Sequence, residues 1–365
     1  MSSADGRIEV ADALRGVAVV GIILFHAVES FDAFSPQARL TLPCDASVYR
    51  VVTILLSGKM YGIFALLFGL TFHIMLSHAM TRIRFAWRML LLFFIGGVNI
   101  AIYDGDILTT YALSGLLLTV CHRLSNRWLW VLTVIVLLQP FELWQLFSGW
   151  TMPSDWIWHD YALLSRHHQE SGFCLNVVQN LHYAFPANLG YFALTGRLTQ
   201  IFGLFVLGLL FGRYRLFLND GCHLLVWKCI LIVSLLLAVV GNCADLGILT
   251  HWLTPIVNLA VLLSETAVIV LLWYGSARVR QLLTAVCKFG RMSLTNYLLQ
   301  SVLGCFLFYA WGLGLFSELG HTYALFAGVV MVFFQFFVTL LWARHHQRGP
   351  VESLWRAATY ICHEK

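Results

Sequence analysis

Charge is what this chain has least of. Only 11% of its 365 residues are charged, against 59% hydrophobic, and its mean hydropathy is +0.78. A soluble domain carries about 25% charged residues. So many apolar side chains cannot all be hidden in one core, because a surface cannot be made of Leu, Phe and Val alone. The shortage of charge therefore excludes a soluble globular protein and makes lipid the solvent. The familiar signatures of soluble catalysis are missing too: there is no HExxH, CxxC, Walker or GxSxG sequence. The adjacent pairs His167-His168 and His345-His346 would point apart on a helix and make no metal site. No metal and no tightly bound cofactor is expected. No internal repeat and no low-complexity tract is evident. The first apolar segment follows Asp5, Arg7, Glu9, Asp12 and Arg15 rather than a plain basic region, and no A-x-A site follows it, so a retained helix is expected.

What the chain does have is apolar length. Ten stretches read as spans: 11–29, 52–78, 84–102, 107–122, 127–149, 190–212, 222–243, 252–274, 292–311 and 321–343. All but the marginal 107–122 suit a hydrocarbon core of about 30 Å. The second is broken near Ser57–Lys59. The cations sort by side. With the N-terminus inside, one face carries Arg7, Arg82, Arg84, Arg88, Arg123, Arg127, Arg213, Arg215, Arg278, Arg280, Lys288, Arg291, Arg344, Arg348, Arg356 and Lys365. The other carries only Arg39, Arg50 and Arg166. The expectation is an all-α polytopic membrane protein of about ten transmembrane helices, N-in and C-in, forming a single transmembrane domain over 1–365. The net charge of +5 then follows from topology and needs no nucleic-acid partner. The long connection 150–189 falls outside and carries no evident helix period; a loop of this length more often has a function than not. Cys44 and Cys174 also fall outside, and their pairing as a disulfide stays open.

Polar side chains at membrane depth are functional candidates by default. In the first span Arg15 and His26 lie eleven residues apart. That is about three helical turns, so both point the same way, with His26 about 16 Å further along. Asp12 and Glu29 extend the same face. A titratable His near a carboxylate can act as a general base; a structural Asp12–Arg15 pair and a packed His26 explain the same spacing. Lys59 sits in the break of the second span, and Arg197 in the sixth must find an anion or a carbonyl. Tyr103-Asp104-Gly105-Asp106 makes an acidic turn, expected to pair Asp104 or Asp106 with Lys59 or Arg197. Ser293, Asn296, Tyr297 and Gln300 share one face of the ninth span, for a site or for interhelical hydrogen bonding.

These residues also carry a resemblance. Asp12-Ala-Leu-Arg15-Gly16, Phe64-Ala-Leu-Leu-Phe-Gly69, Asp104-Gly-Asp106-Ile-Leu with Tyr111, Gly290-Arg291 through Gln300, and Gly349-Pro350 through Arg356 follow in order from residue 12 to 356. The sequence resembles the bacterial inner-membrane family of unknown function typified by YeiB, whose members have been called transport proteins. More distantly, Leu14-Arg15-Gly16-Val-Ala with His26 is similar to the first helix of the acyltransferase-three superfamily, which moves acyl groups onto sugars across a membrane. That similarity implies His26 as catalytic histidine and Arg15 as its companion near a cytoplasmic acyl donor. The expected function is transfer of an acyl group, such as acetyl from acetyl-CoA as co-substrate, onto an envelope glycan or similar hydroxyl acceptor, in the inner membrane among its lipids. Arg15 and Arg291 would face the donor phosphates. Asp104, Asp106, Arg197 and the 150–189 segment would shape the acceptor side. A permease and a non-catalytic scaffold are the rival classes.

Overall fold

A computed structural model describes residues 8–32, 38–78, 80–150, 152–218, 223–243 and 249–361. Asp5, Arg7, Cys222 and Lys365 lie outside the described residues. Everything regular in the described residues is helical; the nearest thing to sheet is one isolated bridge between Leu40 and Leu319. The helices are α1 (Glu9–Val28), α2 (Asp45–Leu56), α3 (Met60–Ser77), α4 (Arg82–Ile100), α5 (Leu108–Cys121), α6 (Asn126–Leu137), α7 (Pro140–Ser148), α8 (Asp155–Glu170) and α9 (Phe173–Gln179). They continue with α10 (Phe185–Leu194), α11 (Arg197–Arg213), α12 (His223–Cys243), α13 (Leu249–Gly275), α14 (Ala277–Arg291), α15 (Ser293–Phe308), α16 (His321–Trp342) and α17 (Pro350–Ile361).

Six helical stretches among the described residues are long and apolar enough to cross a membrane: α1, α2 with α3, α4, α12, α13 and α16. A seventh is obtained if the helical run Phe173–Leu194 (α9 through α10) and α11, bent by 73° at their junction, count as one span. The other stretches expected to span hold only shorter apolar helices. α5 has 14 residues, α15 has 16, and the stretch 127–149 divides into α6 with 12 and α7 with 9. The expected break at Ser57–Lys59 is there, between α2 and α3, although the helix before it starts earlier, at Asp45. The segment 150–189 differs most from expectation. It is mostly helical, with α8, α9 and a π-helical turn at Asn180–Ala184 leading into α10. Its helices are short or polar on one side, so no long apolar run announces them. α14 and α17 were hidden for the same reason: both are amphipathic and lie between or after the apolar runs.

Irregular backbone at membrane depth is tolerated only where protein covers it. Two breaks cover each other here. Gln139, between α6 and α7, takes a left-handed conformation with φ 57°, and Gly196, between α10 and α11, has φ 65°. The Gln139 side-chain amide lies 2.7 Å from Thr199 Oγ1, and a Cβ on Gly196 would collide with Gln139 and Glu142. The α3–α11 contact is closest where two glycines face backbone: Gly69 against the Phe205 carbonyl and Gly208 against the Leu66 carbonyl.

α1 is the central column. It touches α2, α3, α13, α14, α15 and α16, and 67% of its span is buried within the protein. α12, at the periphery against α13, is only 17% buried, so most of its surface is left for lipid. A polar stripe is affordable on α1 because protein rather than lipid surrounds it. Cys44 and Cys174, both exposed, are free thiols.

Candidate functional site

Two cavities lie end to end along α1. The first, of about 230 Å³, is lined by Asp12, Arg15 and Ile22 of α1. The second, of about 150 Å³, is lined by Ile22 and His26 of the same helix and by Glu29 at its C-cap. Ile22, Ile107 and Tyr297 line both, and form the partition between them. The eleven-residue spacing of Arg15 and His26 thus sets one side chain in each cavity.

The Arg15 cavity is built from paired charges. Asp12 is 1% exposed; its Oδ1 accepts from Arg15 Nη1 at 2.8 Å and its Oδ2 from Arg291 Nε at 3.3 Å. Arg15 Nη2 also donates to Thr71 Oγ1 at 2.5 Å. Arg291 can reach Asp12 because glycines on both helices let α14 cross close against α1. A Cβ on Gly290 would collide with the Asp12 carbonyl, and one on Gly16 with the Val286 carbonyl. Beside Ser293, the first residue of α15, Glu352 of α17 accepts from the backbone N–H of Leu294 at 2.8 Å and of Thr295 at 3.1 Å. It is a carboxylate cap on a helix N-terminus, supplied by another helix. Trp355 donates its indole N–H to the Arg88 carbonyl at 3.0 Å, and the Arg88 guanidinium sits 3.5 Å over the Trp355 ring. Arg88, Glu352 and Trp355 all line the cavity. The C-terminal helix is therefore one of its walls.

The His26 cavity is aromatic with isolated charges. His26 packs against Phe25, Phe31 and Tyr103 at ring separations of 5.9, 5.7 and 5.2 Å. Its Nδ1 is buried and, among the described residues, has no hydrogen-bond partner. Arg197 lies 4.9 Å over the Tyr191 ring and 5.7 Å from that of Tyr61. Its charge is felt by Glu29 across the cavity. Tyr61 is in turn fixed by donating to Gln200 Oε1 at 3.0 Å. Asp104 lines this cavity, as do Trp158 and Tyr161 of α8 and Asn188 of α10. The 150–189 segment thus does contribute walls.

The other candidates separate. The pairing expected of the acidic turn is not what forms: among the described residues neither Asp104 nor Asp106 bonds to Lys59 or Arg197. Asp106 is fully buried and accepts from Asn99 Nδ2 at 2.9 Å and from the Thr109 backbone N–H at 3.1 Å. An amide and a helix N-terminus satisfy it more locally than a distant cation would. Lys59 is buried, donates to the Thr53 carbonyl at 3.1 Å, and has Glu265 of α13 as its electrostatic partner. Asn296 joins helices: it donates to the Phe289 carbonyl at 3.3 Å and accepts from Thr339 Oγ1 at 3.1 Å. Gln300, one turn on, is fully buried and lines neither cavity.

Several residues were not expected at all. Glu265 is a lone acid in an apolar run. Arg88 had counted only toward orientation. Asp32, on the wall of the His26 cavity, accepts from His168 Nδ1 at 2.7 Å, and His168 stacks on Tyr309 with ring centroids 4.0 Å apart. The second nitrogen of His168 lies 3.4 Å from Asn180 Oδ1, whose amide nitrogen donates to the Ala101 carbonyl. Both ring nitrogens thus meet acceptors. Burial opposes the charge, but the Asp32 hydrogen bond and the Asp32 and Asp104 charges outweigh it and raise the His168 pKa above its ordinary value.

The fold and these cavities define a polytopic helical membrane protein with two chambers stacked along its first helix. Residues 211–362 match the model of a family described as a protein of unknown function, DUF418. The chain is 28% identical to the uncharacterized protein YeiB of Escherichia coli K12, over 95% of each chain. It is 26% identical to the uncharacterized protein YxaH of Bacillus subtilis 168, over 97% of this chain and 94% of that one. A further uncharacterized protein, from the amylase 3' region of Bacillus acidopullulyticus, is 25% identical over 98% of this chain and 94% of its own length. The resemblance read from the motifs holds: over nearly its whole length this chain is similar to YeiB and YxaH.

Proposed function

We propose that the protein is a membrane O-acyltransferase of the inner membrane, taking an acyl-CoA on one side and a glycan-type hydroxyl on the other. One observation carries the reading. A single helix presents a guanidinium to one chamber and an imidazole to the next, with three residues between the chambers. Arg15, Arg88 and Arg291 suit donor phosphates, which bind Arg by paired hydrogen bonds. His26, with a free ring nitrogen, takes the acceptor hydroxyl proton. The oxygen bonds to the thioester carbon, the C–S bond breaks, and the proton passes from His26 to the leaving thiolate. Arg197, Glu29 and Asp104 border the acceptor.

In this reading α5, α6 with α7, and α15 complete ten crossings, with both ends cytoplasmic and one transmembrane domain. A cysteine placed at Asp160 labels from the outside only; labelling from the cytoplasmic side alone would sink that topology. The permease reading keeps one observation, the partition of Ile22, Ile107 and Tyr297, which a carrier would open to either side in turn.

The deciding experiment is acetyl-CoA turnover by purified variants. His26→Gln abolishes turnover while the protein still inserts and folds. Arg15→Lys mainly raises the donor KM. Full activity in His26→Gln would refute this mechanism, and a wild type that binds no acyl-CoA would favour the permease.

A further inference from the structure

We infer that the partition of Ile22, Ile107 and Tyr297 is a size filter for the acyl group, restricting the donor to short-chain acyl thioesters. The inference rests on the acyl-transfer reading. Ile22 stands one turn from His26, about 6 Å along the axis, and two turns from Arg15, about 10 Å. All three share one face. A donor anchored by its phosphates near Arg15 must therefore carry its thioester past Ile22 to bring the carbonyl to His26. Whatever follows the carbonyl carbon goes first through the partition and then into the smaller chamber.

The partition is well fixed. Its three residues come from different elements: Ile22 from α1, Ile107 from the turn before α5, and Tyr297 from α15. They are 6%, 8% and 6% exposed. The Ile107 backbone N–H donates to Tyr297 Oη at 3.2 Å, tying the turn to α15. Two of the three side chains are β-branched and stiff at χ1. Beyond them the His26 chamber holds about 150 Å³, against about 230 Å³ on the Arg15 side, and must also admit the acceptor. Each added methylene is thus penalised twice, in passing the partition and in crowding the acceptor.

The test is calorimetric titration of the full chain in lipid nanodiscs with coenzyme A, acetyl-CoA and octanoyl-CoA, with empty nanodiscs subtracted. Wild type binds coenzyme A and acetyl-CoA comparably and octanoyl-CoA at least about tenfold more weakly, since a single methylene against a fitted wall is worth about tenfold or more. Ile22→Ala and Ile107→Ala recover most of that factor for octanoyl-CoA. Ile22→Phe, which narrows the passage, weakens acetyl-CoA but not coenzyme A, and guards against an alanine variant that folds poorly. Octanoyl-CoA binding the wild type as tightly as acetyl-CoA, or a chain-length ratio unmoved in both alanine variants, overturns the filter and leaves the transfer reading standing. If none of the three ligands binds the wild type, the transfer reading falls, and the filter with it.

Discussion

The two chambers treat charge differently. Around Arg15 the protein answers its own ions: Asp12 serves two guanidiniums, and Glu352 caps a helix. Around His26 it answers them less fully; among the described residues a ring nitrogen has no partner, and a guanidinium is held by ring faces. Polar groups that fasten helices together must be satisfied by other protein groups, whereas groups meant for a ligand must keep some capacity in reserve. Whatever each chamber binds, the first should therefore bear on the stability of the fold more heavily than the second.

Breaking the shared carboxylate tests this most severely. Asp12→Ala leaves two partly buried guanidiniums without it and should lower stability by roughly 3 kcal/mol, the cost expected when one partner of a buried pair is removed. A melting temperature within a degree of wild type would mean that the Arg15 chamber is not fastened by this pair.

Much of that chamber's logic was legible in sequence, because Asp12, Arg15, His26 and Glu29 fall on one stripe of one uninterrupted helix, and helical spacing alone fixes their direction. The break at Ser57–Lys59 was legible for the same local reason. What could not be read were partners separated by hundreds of residues and helices without a long apolar run. Arg88 looked like a topogenic cation until Trp355 covered it. His168 looked like half of an adjacent pair with no metal to bind until α8 brought it to Asp32. The polar face of α15 was seen as a unit, yet its members divide: Ser293 faces a cavity, while Asn296 bonds to Thr339. Periodicity gives a face, not what lies against it.

Arg197→Gln probes the other chamber. Losing the ring contacts should cost only about 1–2 kcal/mol, while turnover falls well beyond that share. A destabilisation as large as that of Asp12→Ala would erase the distinction between the chambers.

The smallest effect concerns pH. Because the folded protein raises the His168 pKa above its ordinary value, the pair with Asp32 contributes fully below about pH 6.5, the unfolded value, and is lost as pH rises through the higher folded value. The melting temperatures of wild type and His168→Gln should therefore differ most in mild acid and converge toward alkaline pH. A gap that widens with pH would show that His168 is neutral in the fold.

The Asp12–Arg291 pair spans 279 residues of sequence, and this orders events during synthesis. α1, carrying its carboxylate, guanidinium and imidazole, enters the membrane long before α14 is made. The α17 wall follows later still. Through most of translation the central column is thus the part of the molecule least suited to lipid, since ionised side chains at membrane depth are costly until partners arrive. A nascent chain stalled before α14 would present Asp12 without Arg291, a feature that membrane quality control can recognise and remove.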